Sequence, residues 1–346
     1  MKILITGATG FIGRRLVKEL LSEKHQLYIL TRPQSKNACV EHFGQSPAII
    51  YIEGDIEDTD VLLNISTVSQ HIDQIESVIH LAALYDLEAN LSDSYMKNVI
   101  GTQNMINLLG KMKKVKYFHY FSTYAVNPLL KGISKEETLV KEGHSFPNEY
   151  TRTKNDAEHL VRSRTPDSIK VIIHRPGVVI GNASDGQVER LDGPYYFYEF
   201  IRKLKLMGPL TKKIPFVPMP LSEGSLFPVL PVDILVKWCV HIISHPPKAQ
   251  FRCYHLVSQE LISTKRFLED SIALIGLPLK LLPFKHTQVF PPLFPLLSMP
   301  TEIIFYMKQE VIFDRTQLTE DYPQLTAPLY QEYLPQIIDG YLKACQ

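Results

Sequence analysis

The 346-residue chain is poor in cysteine and nearly devoid of tryptophan, with four Cys (Cys39, Cys239, Cys253, Cys345) and one Trp. The cysteines are scattered, with no CxxC pair and no metal-ligand spacing. That excludes a disulfide scaffold and a cysteine-built zinc site; reduced thiols and a cytoplasmic location are expected. Charge of one sign is also missing: 37 Lys+Arg against 36 Asp+Glu leave a net +1. The chain therefore has neither the basic field that attracts nucleic acid nor the acidic excess of a disordered chain. Long hydrophobic runs are absent too, since nothing approaches the roughly 18 apolar residues that span a bilayer. Met1-Lys2 leads straight into Ile3-Leu4-Ile5, with no charged leader before a long apolar core. The most apolar stretch, 289–300, is broken by Pro291, Pro292, Pro295 and Pro300, and interior prolines exclude a membrane helix. Proline itself is not scarce: there are 24, concentrated in the C-terminal half.

The first half alternates apolar runs with amphipathic segments. Lys2–Thr6 reads as a buried strand, and Phe11–Ser22 as a helix with Leu16, Leu20 and Leu21 on one face. Further strands are expected at 26–30, 49–53, 77–81, 116–122 and 170–174, and helices at 98–112 and 150–163. Continuous apolar strands separated by helices predict an α/β fold, a doubly wound parallel sheet covered on both faces. After Gly181 the pattern loosens into proline clusters and short helices at 195–206 and 265–275. The expected partition is a cofactor domain over 1–181, with 225–245 returning to it, and a smaller irregular substrate lobe from 182–224 and 246–346.

Between the first strand and first helix lies Thr6-Gly7-Ala8-Thr9-Gly10-Phe11-Ile12-Gly13. Gly7 permits a tight turn, Gly10 lets backbone approach a diphosphate, and Gly13 lets helix and strand pack closely. The anion would rest on the helix N-terminus, where N–H groups point outward and the dipole is positive. This GxxGxxG spacing resembles the short-chain dehydrogenase/reductase superfamily, and the chain length its extended branch. The second strand ends in Thr31-Arg32-Pro33 with no carboxylate. A carboxylate there would bind a ribose hydroxyl, whereas Arg32 suits a 2′-phosphate, so NADP(H) is favoured over NAD(H). Gly54-Asp55-Ile56 matches the superfamily's loop at the adenine, and His80-Leu81-Ala82-Ala83 its segment lining the cofactor cleft.

Tyr150-Thr151-Arg152-Thr153-Lys154 is a YxxxK at a predicted helix start, which places phenol and ammonium on one face. A nearby positive charge favours the phenolate and suits a proton donor working near neutral pH. Upstream, Ser122-Thr123-Tyr124-Ala125-Val126 ends a strand. The resemblance implies that Thr123 orients the reacting carbonyl, with Ser122 as the second choice. It implies a further site residue in Asn98, which is otherwise a helix cap. Arg175-Pro176-Gly177-Val178 matches the segment that packs on the nicotinamide ring. Catalytic roles are thus expected for Thr123, Tyr150, Lys154 and Asn98. Cofactor contacts are expected from Gly7, Thr9, Gly10, Phe11, Ile12, Gly13, Arg32, Asp55, Ile56, Leu81, Ala82, Ala83, Tyr150, Lys154, Pro176, Gly177 and Val178, with no metal.

The acid pair that sugar-nucleotide dehydratases carry after the catalytic Thr is replaced by Tyr124 and Ala125, which removes that chemistry. Leu191-Asp192-Gly193-Pro194-Tyr195-Tyr196-Phe197 and Phe227-Pro228-Val229-Leu230-Pro231-Val232-Asp233 resemble the male-sterility-type acyl-CoA and thioester reductases. The implied substrate is an acyl-CoA or carrier-bound thioester. Phe290, Leu293, Phe294, Leu296, Leu297, Ile303, Ile304 and Phe305 would line an acyl tunnel, meet a membrane surface or complete the lobe's core. The basic runs at 111–114 and 202–205 are solvated helix ends or contacts for coenzyme A phosphates. A homodimer through the Asn98 and Tyr150 helices is expected. Two alternatives stand beside the reductase: an epimerase or ketone/alcohol dehydrogenase of the same superfamily, and a non-catalytic NADP-binding regulator.

Overall fold

The computed structural model describes residues 1–62, 71–86, 90–141, 143–189, 193–206, 216–277, 279–283 and 303–345. Seven strands form one parallel sheet: β1 (Lys2–Thr6), β2 (Gln26–Thr31), β3 (Ile49–Glu53), β4 (Ser77–His80), β5 (Tyr117–Phe121), β6 (Lys170–Pro176) and β7 (Phe251–Leu256). Their spatial order is β3-β2-β1-β4-β5-β6-β7. The order in which strands are added thus reverses between β1 and β4, and the carboxyl ends of those strands open a crevice there. The helices α1 (Phe11–Ser22), α2 (Lys36–Phe43), α3 (Gly101–Leu109), α4 (Glu149–Arg164), α5 (Pro194–Leu206), α6 (Val232–Ser244), α7 (Thr264–Ile275), α8 (Ile303–Met307) and α9 (Tyr330–Ala344) complete the elements used below.

Each face of the sheet is covered because its strands are apolar on both sides. Leu16, Val17 and Leu20 of α1 and Leu235, Val236 and Cys239 of α6 pack with Ile3, Ile5 and Ile29 on one face. Met105, Ile106 and Leu109 of α3, with Ala157 and Val161 of α4, pack with Leu4, Val78 and Phe118 on the other. A separate core, containing Tyr198 and Ile201 of α5, Phe267 and Ile272 of α7 and Ile337 and Ile338 of α9, builds the lobe. Val229–Pro231 runs parallel to Val178–Ile180, which brings the chain back to α6 beside the sheet.

Two expectations need correction. Residues 251–256 are not part of the lobe: β7 pairs with β6 from Phe251↔Val171 to Leu256↔Pro176. Its polar residues disguise it, and each is paired rather than solvated. Arg252 holds Asp321 at 2.6 Å, the backbone N–H of His255 donates to Glu136 at 3.1 Å, and the ring Nδ1 lies 2.8 Å from the Asp314 carbonyl. Leu318 and Tyr322 also pack into the sheet's core rather than the lobe's. Second, 98–112 is not one regular helix. A helical turn at Leu91–Tyr95, capped by Asn90, passes through a wide π turn at Met96–Ile100 into α3. Such a turn redirects a side chain inward, here that of Asn98. The apolar stretch 289–300, and with it Phe290, Leu293, Phe294, Leu296 and Leu297, lies outside the described residues, as do Leu191 and Asp192.

Candidate active site

At the crevice, Gly7 turns the chain with φ +72°, and Gly10 caps α1 without any side-chain hydrogen bond. The first turn of α1 has no acidic residue, so its outward N–H groups keep their affinity for an anion. The three glycines differ in the room that the backbone around them leaves. A Cβ on Gly7 would lie 2.5 Å from the Ala82 nitrogen, and one on Gly13 would lie 2.2 Å from the Gly7 oxygen. On Gly10 the first atom met is the Gly7 oxygen at 3.3 Å, because that face opens into the cavity. Residues with such a cradle fit a dinucleotide diphosphate. Arg32 follows β2, exposed, and Glu53 at the end of β3 is tied to Lys36 at 2.7 Å.

The cavity has a volume of about 320 Å³. One end is walled by Gly7, Gly10, Phe11, Ile12 and Gly13, with Leu81 and Ala83. Its middle brings together Thr123, Tyr150, Lys154 and Pro176–Val178. The far end is built by the lobe from Phe197, Phe227, Leu268, Ile303 and Met307. Thr9, Arg32, Asp55, Ile56, Ala82 and Asn98 are not in its wall. Asp55 caps its own turn through the Glu57 N–H at 3.0 Å, and Ile56 packs against Gly101. Ala82 lies behind the wall, donating its N–H to Thr6 Oγ1 at 3.2 Å.

Asn98 is buried away from the cavity, so the expected catalytic contact is not formed. Its Oδ1 accepts the Leu84 N–H at 2.7 Å; its Nδ2 donates to the Leu84 carbonyl at 3.2 Å and to Thr153 Oγ1 at 3.0 Å. Nor does it cap a helix. It clamps the strand-end loop to α4, one residue before Tyr85, whose ring meets that of Tyr150 edge-on at 4.9 Å.

Lys154 projects from α4 into the core, 3% exposed, donating to the Phe121 carbonyl at 2.6 Å over the Tyr120 ring. Burial pulls its ammonium down to about 7, while the Glu158 charge works against that fall. Glu158, one turn further along α4 and fully buried, accepts from Arg175 Nη2 at 2.6 Å, Arg162 Nη2 at 2.8 Å and Ser122 Oγ at 2.6 Å. Burial alone would raise this carboxyl; the two arginines outweigh it and hold it at about 2. Ser122 therefore spends its proton on Glu158. Thr123 instead accepts the Ala125 N–H at 3.3 Å, which leaves its own proton to donate into the cavity.

Sequence reasoning missed Tyr85, Tyr124 and Tyr306, which also line the cavity. Tyr306 arrives on α8, and its oxygen accepts from Asn148 Nδ2 at 2.9 Å while Asn148 Oδ1 caps α4. No local signal marks these tyrosines, because the fold brings them in from distant segments.

A family profile described as "Male sterility protein" matches residues 5–239. Fatty acyl-CoA reductase 2 of Mus musculus is 26% identical over 310 residues, covering 75% of this chain and 58% of its own. The chain thus spans little more than half the length of that relative. Among solved structures, the terminal R domain from the myxalamid PKS-NRPS biosynthetic pathway superposes with a TM-score of 0.81 at 22% identity, over 99% of this chain and 91% of that one. A thiolation-reductase di-domain from an archaeal non-ribosomal peptide synthetase gives 0.73 at 20% identity, over 99% and 75%. These two likenesses establish the fold.

Proposed function

The chain belongs to the male sterility protein family, and on that premise we propose that it is an NADP(H)-dependent reductase of a carbonyl or acyl thioester. The observation that carries this reading is one continuous cavity with a glycine cradle at one end, Tyr150, Lys154 and Thr123 in the middle and an apolar lobe wall beyond them. Gly7, Gly10 and Gly13 would hold a dinucleotide's diphosphate at the N-terminus of α1, and Pro176–Val178 would pack beside its nicotinamide. When bound, the cofactor supplies hydride to the substrate carbon. Thr123 Oγ1–H donates to the carbonyl oxygen, and Tyr150 gives the developing oxyanion its proton. Lys154, fixed on the Phe121 carbonyl, favours the negative phenolic oxygen left behind.

The Arg32 end of β2, without a carboxylate, supports NADP(H), with NAD(H) as the alternative. The apolar far wall suits an acyl chain on coenzyme A or a carrier and offers little to a sugar nucleotide, which needs a polar lining. Retention of Thr123, Tyr150 and Lys154 in one cavity argues against a binding-only regulator. Leu91, Tyr95 and Met96, exposed beside α3, support a homodimer through these helices, which sedimentation would test. Among the described residues no helix is long and apolar enough to cross a membrane.

The test is NADPH oxidation, followed by absorbance, with acyl-CoA and aldehyde substrates. Turnover that falls ~10²–10⁴-fold in Tyr150→Phe and Lys154→Met is expected. Absence of turnover on every acyl thioester and aldehyde, or full activity in Tyr150→Phe, would overturn the proposal.

A further inference from the structure

α8 is short, and its side chains are divided between two cores. Ile303, Ile304 and Met307 pack with the core of the lobe. Tyr306 packs instead with Tyr124, Val311 and Phe313, beside the strand end that carries Thr123. The chain that follows is fastened on both sides. From the lobe, the N–H groups of Ser222 and Leu226 donate to the carbonyls of Met307 at 3.3 Å and Gln309 at 2.9 Å. Gln309 Nε2 donates to the Leu129 carbonyl at 2.9 Å, and Glu310–Phe313 pairs in parallel with Lys131–Ser134. Tyr306 therefore stands on a fixed base, half-buried, in the wall of the cavity.

What it reaches is the start of α4. Tyr150 is the second residue of that helix, in the turn whose N–H groups have no partner within the helix and which frays most readily. Lys154, one turn further in, is pinned by the Phe121 carbonyl. The placement of Tyr150 depends on how the first turn is held, and Asn148 holds it: its Oδ1 accepts the Thr151 N–H at 2.9 Å. An amide accepts at one end and donates at the other. Nδ2 donates to the Tyr306 oxygen at 2.9 Å, which fixes the end that faces the helix. The cap of α4 is thus oriented by a side chain from the lobe's α8.

We propose that Tyr306 is a positioning residue that acts through Asn148 to set Tyr150, so that the proton donor is aligned from the lobe as well as by its own helix. The proposal rests on the reductase reading and adds a residue to that site. Such a tie protects geometry, because a displacement of about 1 Å at a reacting group can cost roughly 10²-fold in rate.

The experiment follows NADPH oxidation with dodecanoyl-CoA and dodecanal in the wild type, Tyr306→Phe, Asn148→Ser and the double variant. Tyr306→Phe keeps the ring, and Asn148→Ser keeps a cap for α4 but loses the amide that reaches Tyr306. Each single variant should lower kcat about tenfold on both substrates with KM within about twofold. The double variant should be no slower than either, because both changes break one link. In parallel, hydrogen exchange is read in the protein without substrate or cofactor. Tyr306→Phe should speed exchange at the Thr151 amide about fivefold, the weight of one hydrogen bond, and leave the amides of β5 as they are. Unchanged kcat in Tyr306→Phe would overturn the proposal, as would additive losses in the double variant or a rise in KM alone, which would make Tyr306 a substrate contact. So would Thr151 exchange at the wild-type rate, or exchange that rises equally in β5. Absence of turnover on both substrates in the wild type would instead overturn the reductase reading, while the exchange arm still decides whether Tyr306 holds the cap.

Discussion

Replacing Glu158 by glutamine should weaken the fold and the site together. The carboxylate is fully buried and bridges Arg175, itself 0% exposed, and Arg162. Glutamine keeps an acceptor for Ser122 but removes the charge, leaving Arg175 in the core without its counter-ion. Breaking a buried pair from one side costs about 3–5 kcal/mol. The carboxyl's own equilibrium gives a similar figure: held at about 2 rather than 4.5, it contributes roughly 3 kcal/mol. Because the folded value is depressed, that contribution is present above about pH 4.5 and is lost as pH falls toward 2. Urea unfolding read through the single tryptophan, Trp238, in wild type and variant at pH 7 and again at pH 3 would measure both effects. A gap of about 3 kcal/mol at pH 7 that narrows at pH 3 is expected. A difference below about 1 kcal/mol, or one unchanged with pH, would refute the electrostatic account of this cluster. In the same variant the Lys154 ammonium loses the charge that raises it. The alkaline limb of the pH–rate profile should then move to lower pH.

Gly10→Ala should leave apo stability within about 1 kcal/mol, because the new methyl meets nothing closer than 3.3 Å, yet weaken dinucleotide binding at least tenfold by filling the cradle. Gly13→Ala, with its methyl 2.2 Å from the Gly7 oxygen, should instead lower the urea midpoint; the reverse pattern would exchange the two roles. Arg32→Ala should raise KM for NADPH about tenfold or more and leave KM for NADH nearly unchanged, whereas equal effects would remove the 2′-phosphate assignment. Asn98→Ala strands both backbone groups of Leu84, so about 2–4 kcal/mol of stability should go, with faster hydrogen exchange at the Leu84 amide. Unchanged exchange there would contradict the clamp.

What could be read from the sequence was local. The turn from Thr6 to Gly13 declares itself because three backbone constraints fall within seven residues. The Tyr150–Lys154 pair does so because a helix fixes its spacing. β7 was hidden because Arg252 and His255 look like surface residues until Asp321 and the Asp314 carbonyl meet them. The π turn was hidden because its cause is tertiary: Asn98 turns inward to reach Leu84 and Thr153. The lobe's contributions were hardest to see. Phe227, Thr264 and Tyr306 come from three separate segments, and no periodicity links them.

The glycine turn and α4 are also joined behind the cavity, and the hydrogen-bond directions can be assigned. Thr102 donates its hydroxyl proton to the Asn98 carbonyl at 2.6 Å, so toward His80 Nε2, 3.2 Å away, it must accept. His80 therefore carries its proton on Nε2, and Nδ1 accepts from Thr6 Oγ1 at 2.7 Å while Thr6 in turn accepts the Ala82 N–H. Protonating His80 would force a second donor onto Thr6. Burial, aided by the Lys154 charge, already lowers the ring to about 3, so the relay keeps one polarity across the physiological range. It runs from Thr6, at the start of the glycine turn, through His80 and Thr102 to the turn carrying Asn98, whose side chain reaches Thr153 on α4. Thr153 lies between Tyr150 and Lys154. A shift of the glycine turn is thus opposed by hydrogen bonds that end on α4. The glycine turn and the helix segment carrying Tyr150 are held in register without any residue touching both.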